Sequence, residues 1–275
     1  MVPAVYITLV HLAAEQGLSC PEVTSRALEG VLRLYQSCRS WGPTGAAITR
    51  GCWYHRHIMA ITVHHLMHSR SLRVLWLLEE LGLEYELVRY ERDANFRAPP
   101  SLEKAHPLGR APVVEVDGLV LAESGAILEH FADRERRLRP TSPEGLREYR
   151  FFLHYAEGSA MPPLLVQLLV ERVRSAPMPF LVKPIARRIA DEIERNYSGP
   201  AVERHFGFVE RTLSQRPHFA GEEFSAADIQ MFYPVEAALR RAGGEWPHLR
   251  AWRERVTTRD AYRRAEARGG AAMPD

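Results

Sequence analysis

Cysteine is scarce in this chain. There are 3 in 275 residues, Cys20, Cys38 and Cys52, all within the first 58, and no C-x-x-C occurs. That excludes a disulfide framework and a thioredoxin-type redox pair. Net charge is nearly absent too: 36 Lys and Arg against 34 Asp and Glu leave +2, too weak a field to steer the protein onto nucleic acid. No run approaches the roughly 18 unbroken apolar residues of a membrane span. The nearest, residues 161–170, holds two prolines and a glutamine. The opening 20 residues lack the basic stretch and small-residue cleavage site of a secretory signal. A soluble, intracellular, cytoplasmic protein is expected. His64, His65 and His68 invite a metal reading, but strand alternation sends His64 and His65 to opposite faces. No further Cys or acid cluster completes a site, so no metal is expected.

What the chain does have is a globular composition, 46% hydrophobic and 25% charged. Residues 1–58 stand apart: turn formers, tryptophans and cysteines crowd residues 37–53, and only residues 21–36 carry helical spacing. Met59 directly precedes a clean strand. The first 58 residues therefore read either as an extension upstream of the true start or as an accessory helix.

From Ala60 the pattern is regular. A strand at 61–66 is followed by an amphipathic helix at 70–81 with a buried stripe of Val74, Leu75, Leu78 and Leu81. Gly82 stops that helix, and a second strand at 85–90 completes a βαβ unit, whose strands should run parallel. A Pro-rich connection leads to Ala111-Pro112 and then to strands at 113–116 and 119–122, joined by Asp117-Gly118 as a β-hairpin. A helix at 124–134 closes the unit. This order predicts a thioredoxin-like α/β domain over 59–139. After the Pro-rich step at 140–143 only helical patterns appear, predicting an all-α helical-bundle domain over 144–268 and a frayed tail over 269–275. Phe224-Ser225-Ala226-Ala227-Asp228-Ile229 sets Ser225 at an N-cap, an acid three residues on and apolar residues on either side. This is a capping box with a hydrophobic staple, so Asp228 reads as a folding residue.

Four stretches, His64 to Leu81 (HHLMHSRSLRVLWLLEEL), His106 to Val113 (HPLGRAPV), Leu121 to Ile127 (LAESGAI) and Phe219 to Ile229 (FAGEEFSAADI), together resemble the cytosolic glutathione S-transferase family. RYERDANFRAPP at 89–100 and HYAEGSAMPP at 154–163 are closer to a bacterial and fungal, serine-type subgroup. The similarity covers residues 59–268 and leaves 1–58 untouched. It implies glutathione as co-substrate, a small hydrophobic electrophile as second substrate, attack on it by the glutathione thiolate, organic-hydroperoxide reduction as a variant, and a homodimer. A binding or regulatory protein that keeps the fold without the chemistry is the alternative. A thiol-disulfide reductase would need an enzyme cysteine, and residues 59–275 have none.

The resemblance also assigns roles. Ser69, between first strand and first helix, stands where serine-type members keep the hydroxyl that activates the thiol; position alone also allows Ser69 or Ser71 to cap that helix, and Ser71 is the substitute. Pro112 stands where the family keeps a cis proline, aiming the Val113 backbone at the cysteinyl unit of glutathione. Ser124 would take the γ-glutamyl α-carboxylate at a helix N-terminus and Glu123 the α-ammonium; both could also simply favour the helix end. Arg110 is placed for the glycyl carboxylate, or is merely solvated. His106 stands where the family has Asn, and Ala111 where Val is frequent. Tyr155, Ser159 and Met161 fall where the family lines its electrophile pocket, and equally suit a helical core.

Overall fold

The computed structural model describes residues 60–241 and 243–274. The stretch 21–36, the three cysteines and Met59 lie outside the described residues, which all fall in one compact unit, 57–275.

β1 (Thr62–Leu66) is central in a four-stranded sheet of order β2-β1-β3-β4. It runs parallel to β2 (Glu86–Tyr90), with Thr62 opposite Glu86, and antiparallel to β3 (Val113–Val116), with Val63 opposite Val114. β3 turns through Asp117 and Gly118, both at positive φ (51° and 77°), into antiparallel β4 (Leu119–Ala122). Two left-handed residues match the twist of a tight hairpin, and Gly118 takes its conformation without steric cost. Between β2 and β3 the thioredoxin-like order contributes only one 3-10 turn, Pro100–Lys104.

α1 (Leu72–Leu81) ends at Gly82, whose left-handed backbone lets its N–H reach the Glu79 carbonyl. The expected single stripe is too narrow. Arg73, Trp76 and Leu77 are buried as well, because α1 lies between the sheet and three later helices. α2 (Ser124–Glu135) follows β4. α3 (Pro143–Tyr155) starts with Ser142 accepting the Gly145 N–H at 3.1 Å and Pro143 at its first position.

α3 continues through a π-turn, Ala156–Ala160, into α4 (Met161–Ser175). Pro162 and Pro163 explain the widening. Neither can donate to the carbonyl four residues back, and each ring crowds that carbonyl, so the ladder opens ahead of them. A second π-turn, Glu194–Ser198, joins α5 (Lys183–Ile193) to α6 (Gly199–Gln215), again just before a proline, Pro200. α7 (Ala226–Arg241), α8 (Pro247–Thr257) and α9 (Asp260–Gly269) complete the bundle.

Asp228 stands at the start of α7. Its carboxylate, wholly buried, accepts from Ser225 N (2.9 Å), Ser225 Oγ (3.1 Å), Phe219 N (3.1 Å) and Trp252 Nε1 (3.2 Å). Ser225 thus donates to Asp228 rather than receiving its N–H. The frayed tail is corrected. Ala272 and Met273 are 5% and 2% exposed within the core, and Arg240 donates to the Pro274 carbonyl at 2.7 Å. Apolar side chains that find a groove are worth more buried than free. α9 lies on α1, where Arg259 forks onto Glu80 and Arg264 and Arg268 reach Glu79.

Candidate active site

The turn from β1 into α1 is pinned from below. Arg92, just past β2, donates to the carbonyls of Met67 (2.9 Å) and His68 (3.1 Å), and His68 sits at φ 51°. Ser69 and Ser71 follow, 7% and 0% exposed. The Ser69 hydroxyl lies 2.7 Å from the Leu66 carbonyl and 2.7 Å from Ser71 Oγ, and it accepts the Ser71 N–H at 3.2 Å. Ser71 Oγ lies 2.8 Å from His65 Nδ1 and accepts the Leu66 N–H at 3.2 Å. Ser71 occupies the cap position of α1 without making a side-chain cap bond. Ser71 therefore does not cap α1, while Ser69 takes up one backbone amide ahead of it, the Ser71 N–H.

The start of α2 is uncapped. Glu123 holds φ 70° and ψ 117°, and neither its side chain nor that of Ser124 closes the first turn. A non-glycine residue there costs roughly 1–3 kcal/mol and marks a position held by its surroundings. Ser124 Oγ accepts from Arg73 Nη1 at 3.1 Å, which leaves the Ser124 hydrogen free to donate. The same Arg73 nitrogen is 2.6 Å from Glu157 Oε1, and Arg70 Nε reaches that oxygen at 2.9 Å. Tyr233 of α7 lies under both guanidinium groups, 5.0 Å from that of Arg70 and 5.3 Å from that of Arg73.

Burial works against the Glu157 charge, but Arg73 and Arg70 outweigh it and hold the carboxyl below its usual range. Burial likewise lowers the Arg73 pKa against the pull of Glu157. For Arg70 burial loses to the Glu157 carboxylate, and the pKa rises.

Between these helix starts opens a cleft of about 210 Å³. Arg70, Arg110, Ala111, Pro112, Glu123, Ser124 and Glu157 line it. The Ala111–Pro112 bond is cis. Arg110 is exposed and makes no ion pair among the described residues. Its neighbour Pro112 is buried.

Two expectations need correction. Val113 is fully buried inside the ladder, opposite His64 of β1 and Ala122 of β4, so its backbone is committed to the sheet. Ala111, on the other side of the proline, lines the cleft and lies outside the ladder. Tyr155 and Ser159 turn away from the cleft. The Tyr155 hydroxyl bonds His205 Nδ1 of α6 at 2.9 Å, burial pushes its pKa up to about 12, and Ser159 lines a separate hollow beside His205. Helical periodicity explains this, since Glu157, two residues away, points to the opposite face. Met161, a turn beyond Glu157, packs half-buried on the core. Arg70, Arg73, Glu157 and Tyr233 were missed. Their one sequence signal is the three-residue spacing of Arg70 and Arg73 at the start of α1; their partners lie far along the chain.

Known proteins match this arrangement. The model described as Glutathione S-transferase, N-terminal domain, matches residues 59–133, and that described as Glutathione S-transferase, C-terminal domain, matches residues 173–260. Glutathione S-transferase 1 of Saccharomyces cerevisiae is 40% identical over 216 residues, covering 74% of this chain and 92% of its own. The chain belongs to the glutathione S-transferase family. Glutathione S-transferase 3 of Schizosaccharomyces pombe is 35% identical over 209 residues, covering 74% of this chain and 85% of its own. Among solved structures, a glutathione S-transferase from Actinobacillus pleuropneumoniae superposes with a TM-score of 0.63 at 30% identity, over 78% of this chain and 94% of that one. A theta class member from Xanthomonas axonopodis pv. citri, solved with glutathione bound, has a TM-score of 0.55 at 23% identity, over 75% and 96%. Membership makes the chain a glutathione transferase with a thioredoxin-like first domain and a helical second one. No helix among the described residues is long and apolar enough to cross a membrane.

Proposed function

We propose that glutathione lies along the cleft between the starts of α1 and α2, sulfur toward Ser69, and that its thiolate attacks hydrophobic electrophiles. One observation carries this: Arg70, Ala111, Pro112, Glu123 and Ser124, from three separate segments, converge on a single cleft at which the first turn of α2 is left uncapped. An open N-terminus favours an anion, and the start of α2 offers one.

The γ-glutamyl carboxylate fits the first turn of α2 with the free Ser124 hydrogen, and Glu123 faces the ammonium. The cysteinyl backbone fits beside Ala111, and Arg110 suits the glycyl carboxylate. At the sulfur, the Ser71 N–H donated to Ser69 Oγ makes the Ser69 hydroxyl a stronger donor, which favours thiolate over thiol. The thiolate then needs only an electrophile held close. Reduction of organic hydroperoxides by the same thiolate is the variant. A homodimer accompanies this reading. Leu165, Leu169 and Val173 of α4, with Ile185, Ile189 and Ile193 of α5, leave an exposed apolar face that a second copy would cover.

Calorimetry with glutathione, followed by rates on aryl halides, enals and hydroperoxides, tests the reading. Binding together with conjugation supports it, and absence of binding overturns it. A monomeric mass at micromolar concentration would remove the dimer alone.

A further inference from the structure

Behind Ser69 a buried chain of polar groups runs inward to the end of α9. Ser69 Oγ contacts Ser71 Oγ (2.7 Å), Ser71 Oγ contacts His65 Nδ1 (2.8 Å), and His65 Nε2 contacts the Gly269 carbonyl (2.8 Å) at the end of α9. His65 is 1% exposed. The approach is shaped for it: a Cβ on Gly269 would stand 2.5 Å from Leu75 Cδ1 and 3.0 Å from His65 Cε1.

The carbonyl only accepts, so Nε2 carries the hydrogen and, in a neutral ring, Nδ1 is an acceptor. Ser71 Oγ can donate to Nδ1 at 2.8 Å or to the Leu66 carbonyl at 3.1 Å, and the shorter contact is to Nδ1; its oxygen then turns a lone pair toward Ser69. Ser69 likewise can donate to Ser71 or to the Leu66 carbonyl. Hydrogens are short. The Ser69–Leu66, Ser69–Ser71, Ser71–Leu66, Ser71–His65 and His65–Gly269 contacts would need five, while two hydroxyls and a neutral imidazole bring three. A proton on His65 supplies a fourth.

We infer that this chain takes up the thiol proton of glutathione, with His65 as its inner acceptor acting through Ser71 and Ser69. The inference rests on the assignment of Ser69 to the sulfur. The S–H bond breaks and its hydrogen passes to Ser69 Oγ, the Ser69 hydrogen passes to Ser71 Oγ, and the Ser71 hydrogen passes to His65 Nδ1. The sulfur keeps the electron pair and becomes thiolate; imidazole becomes imidazolium, still donating Nε2–H to Gly269. The chain has then reversed, and Ser71 donates to Ser69 while Ser69 donates to the thiolate. A neutral His65 prevents that orientation, because it holds the Ser71 hydrogen. After the sulfur has bonded to the electrophile, the proton returns outward by the same path, to the enolate formed from an enal or, with the halide leaving an aryl halide, to bulk water.

The surroundings suit an acceptor that is empty at rest. Burial lowers the His65 pKa, the Gly269 carbonyl raises it, Arg89 and His68 lower it and Glu91 raises it, with a net fall. His65 is therefore neutral near pH 7 until an anion forms at the other end of the chain.

The test is proton accounting on the intact protein. Glutathione binding is measured by calorimetry at pH 7 in buffers of different ionisation enthalpy, alongside the ultraviolet thiolate band and the nitrogen resonances of His65. The expected result is a thiolate band with far less than about one proton released per site, and His65 resonances moving to the imidazolium position. Ser71→Ala should send that proton to the buffer, raise the pH at which the thiolate band titrates, and lower kcat/KM at pH 7 roughly 100-fold. Ser71→Thr should restore both. About one proton released by the wild-type protein, or His65 resonances that stay neutral, would overturn the relay, and neither measurement depends on a variant folding. The reading of Ser69 falls separately, if Ser69→Ala leaves the thiolate band and rate unchanged.

Discussion

The turn before α1 and the start of α2 face the same cleft, yet they are built from opposite materials. Around Ser69 the groups are neutral and buried: two hydroxyls, an uncharged imidazole and backbone. Around Ser124 they are ionic: Arg73 and Arg70 share one Glu157 oxygen above Tyr233. In the proposed reading the contrast fits the two parts of glutathione placed there, its central sulfur and its γ-glutamyl end. A sulfur that must lose a proton and then react is best served by oriented dipoles in dry surroundings, which stabilise the anion without pairing it away. A peptide end that must only stay in place is held by fixed charges.

Breaking the ionic side should have the largest effect. Glu157→Gln leaves Arg73 buried without its counter-charge, at a cost of about 3 kcal/mol. The melting temperature of a chain this size should fall by roughly 6–12 °C, read by thermal denaturation. The sign with pH follows from the depressed Glu157 pKa. Its contribution is fully present above the usual value of 4.5 and is lost as pH falls through the lower folded value. The acid limb of stability should flatten in the variant.

On the neutral side, Ser69→Ala should lower kcat roughly 100-fold and barely move KM, because the hydroxyl acts on the thiolate and not on the peptide. A large loss in Ser71→Ala with Ser69→Ala unaffected would transfer the activating role to Ser71. Steady-state kinetics on one aryl halide distinguishes the two.

Ser124→Ala should do the reverse, raising KM for glutathione about tenfold at unchanged kcat. Equal losses in kcat would mean that the α2 end takes part in the transition state, and the contrast between the two ends would collapse. The smallest effect is expected from Tyr155→Phe. It removes the bond to His205, worth about 1 kcal/mol of stability, and should leave electrophile selectivity as it was.

Much of this was legible beforehand, and unevenly. The hairpin at 113–122 falls where alternation and Asp117-Gly118 place it, because a two-residue turn and a period of two are local properties. Glu157 was hidden: it lies 84 residues from Arg73, and only the π-turn ahead of Pro162 and Pro163 faces it toward the cleft. Tyr155 and Ser159 were misplaced because family position names a helix but not which of its sides looks inward.

The sequence by itself determined the order of elements and the fold class, since short-range backbone chemistry specifies these, and its resemblance to the family named Ser69, Pro112, Glu123 and Ser124 as candidates. Only the tertiary structure decided what stands behind them. The Gly269 carbonyl meets His65 across 204 residues, and Glu157 meets two arginines across 84 and 87. Such meetings depend on how helices pack on one another, and packing is a property of whole faces that no local spacing encodes.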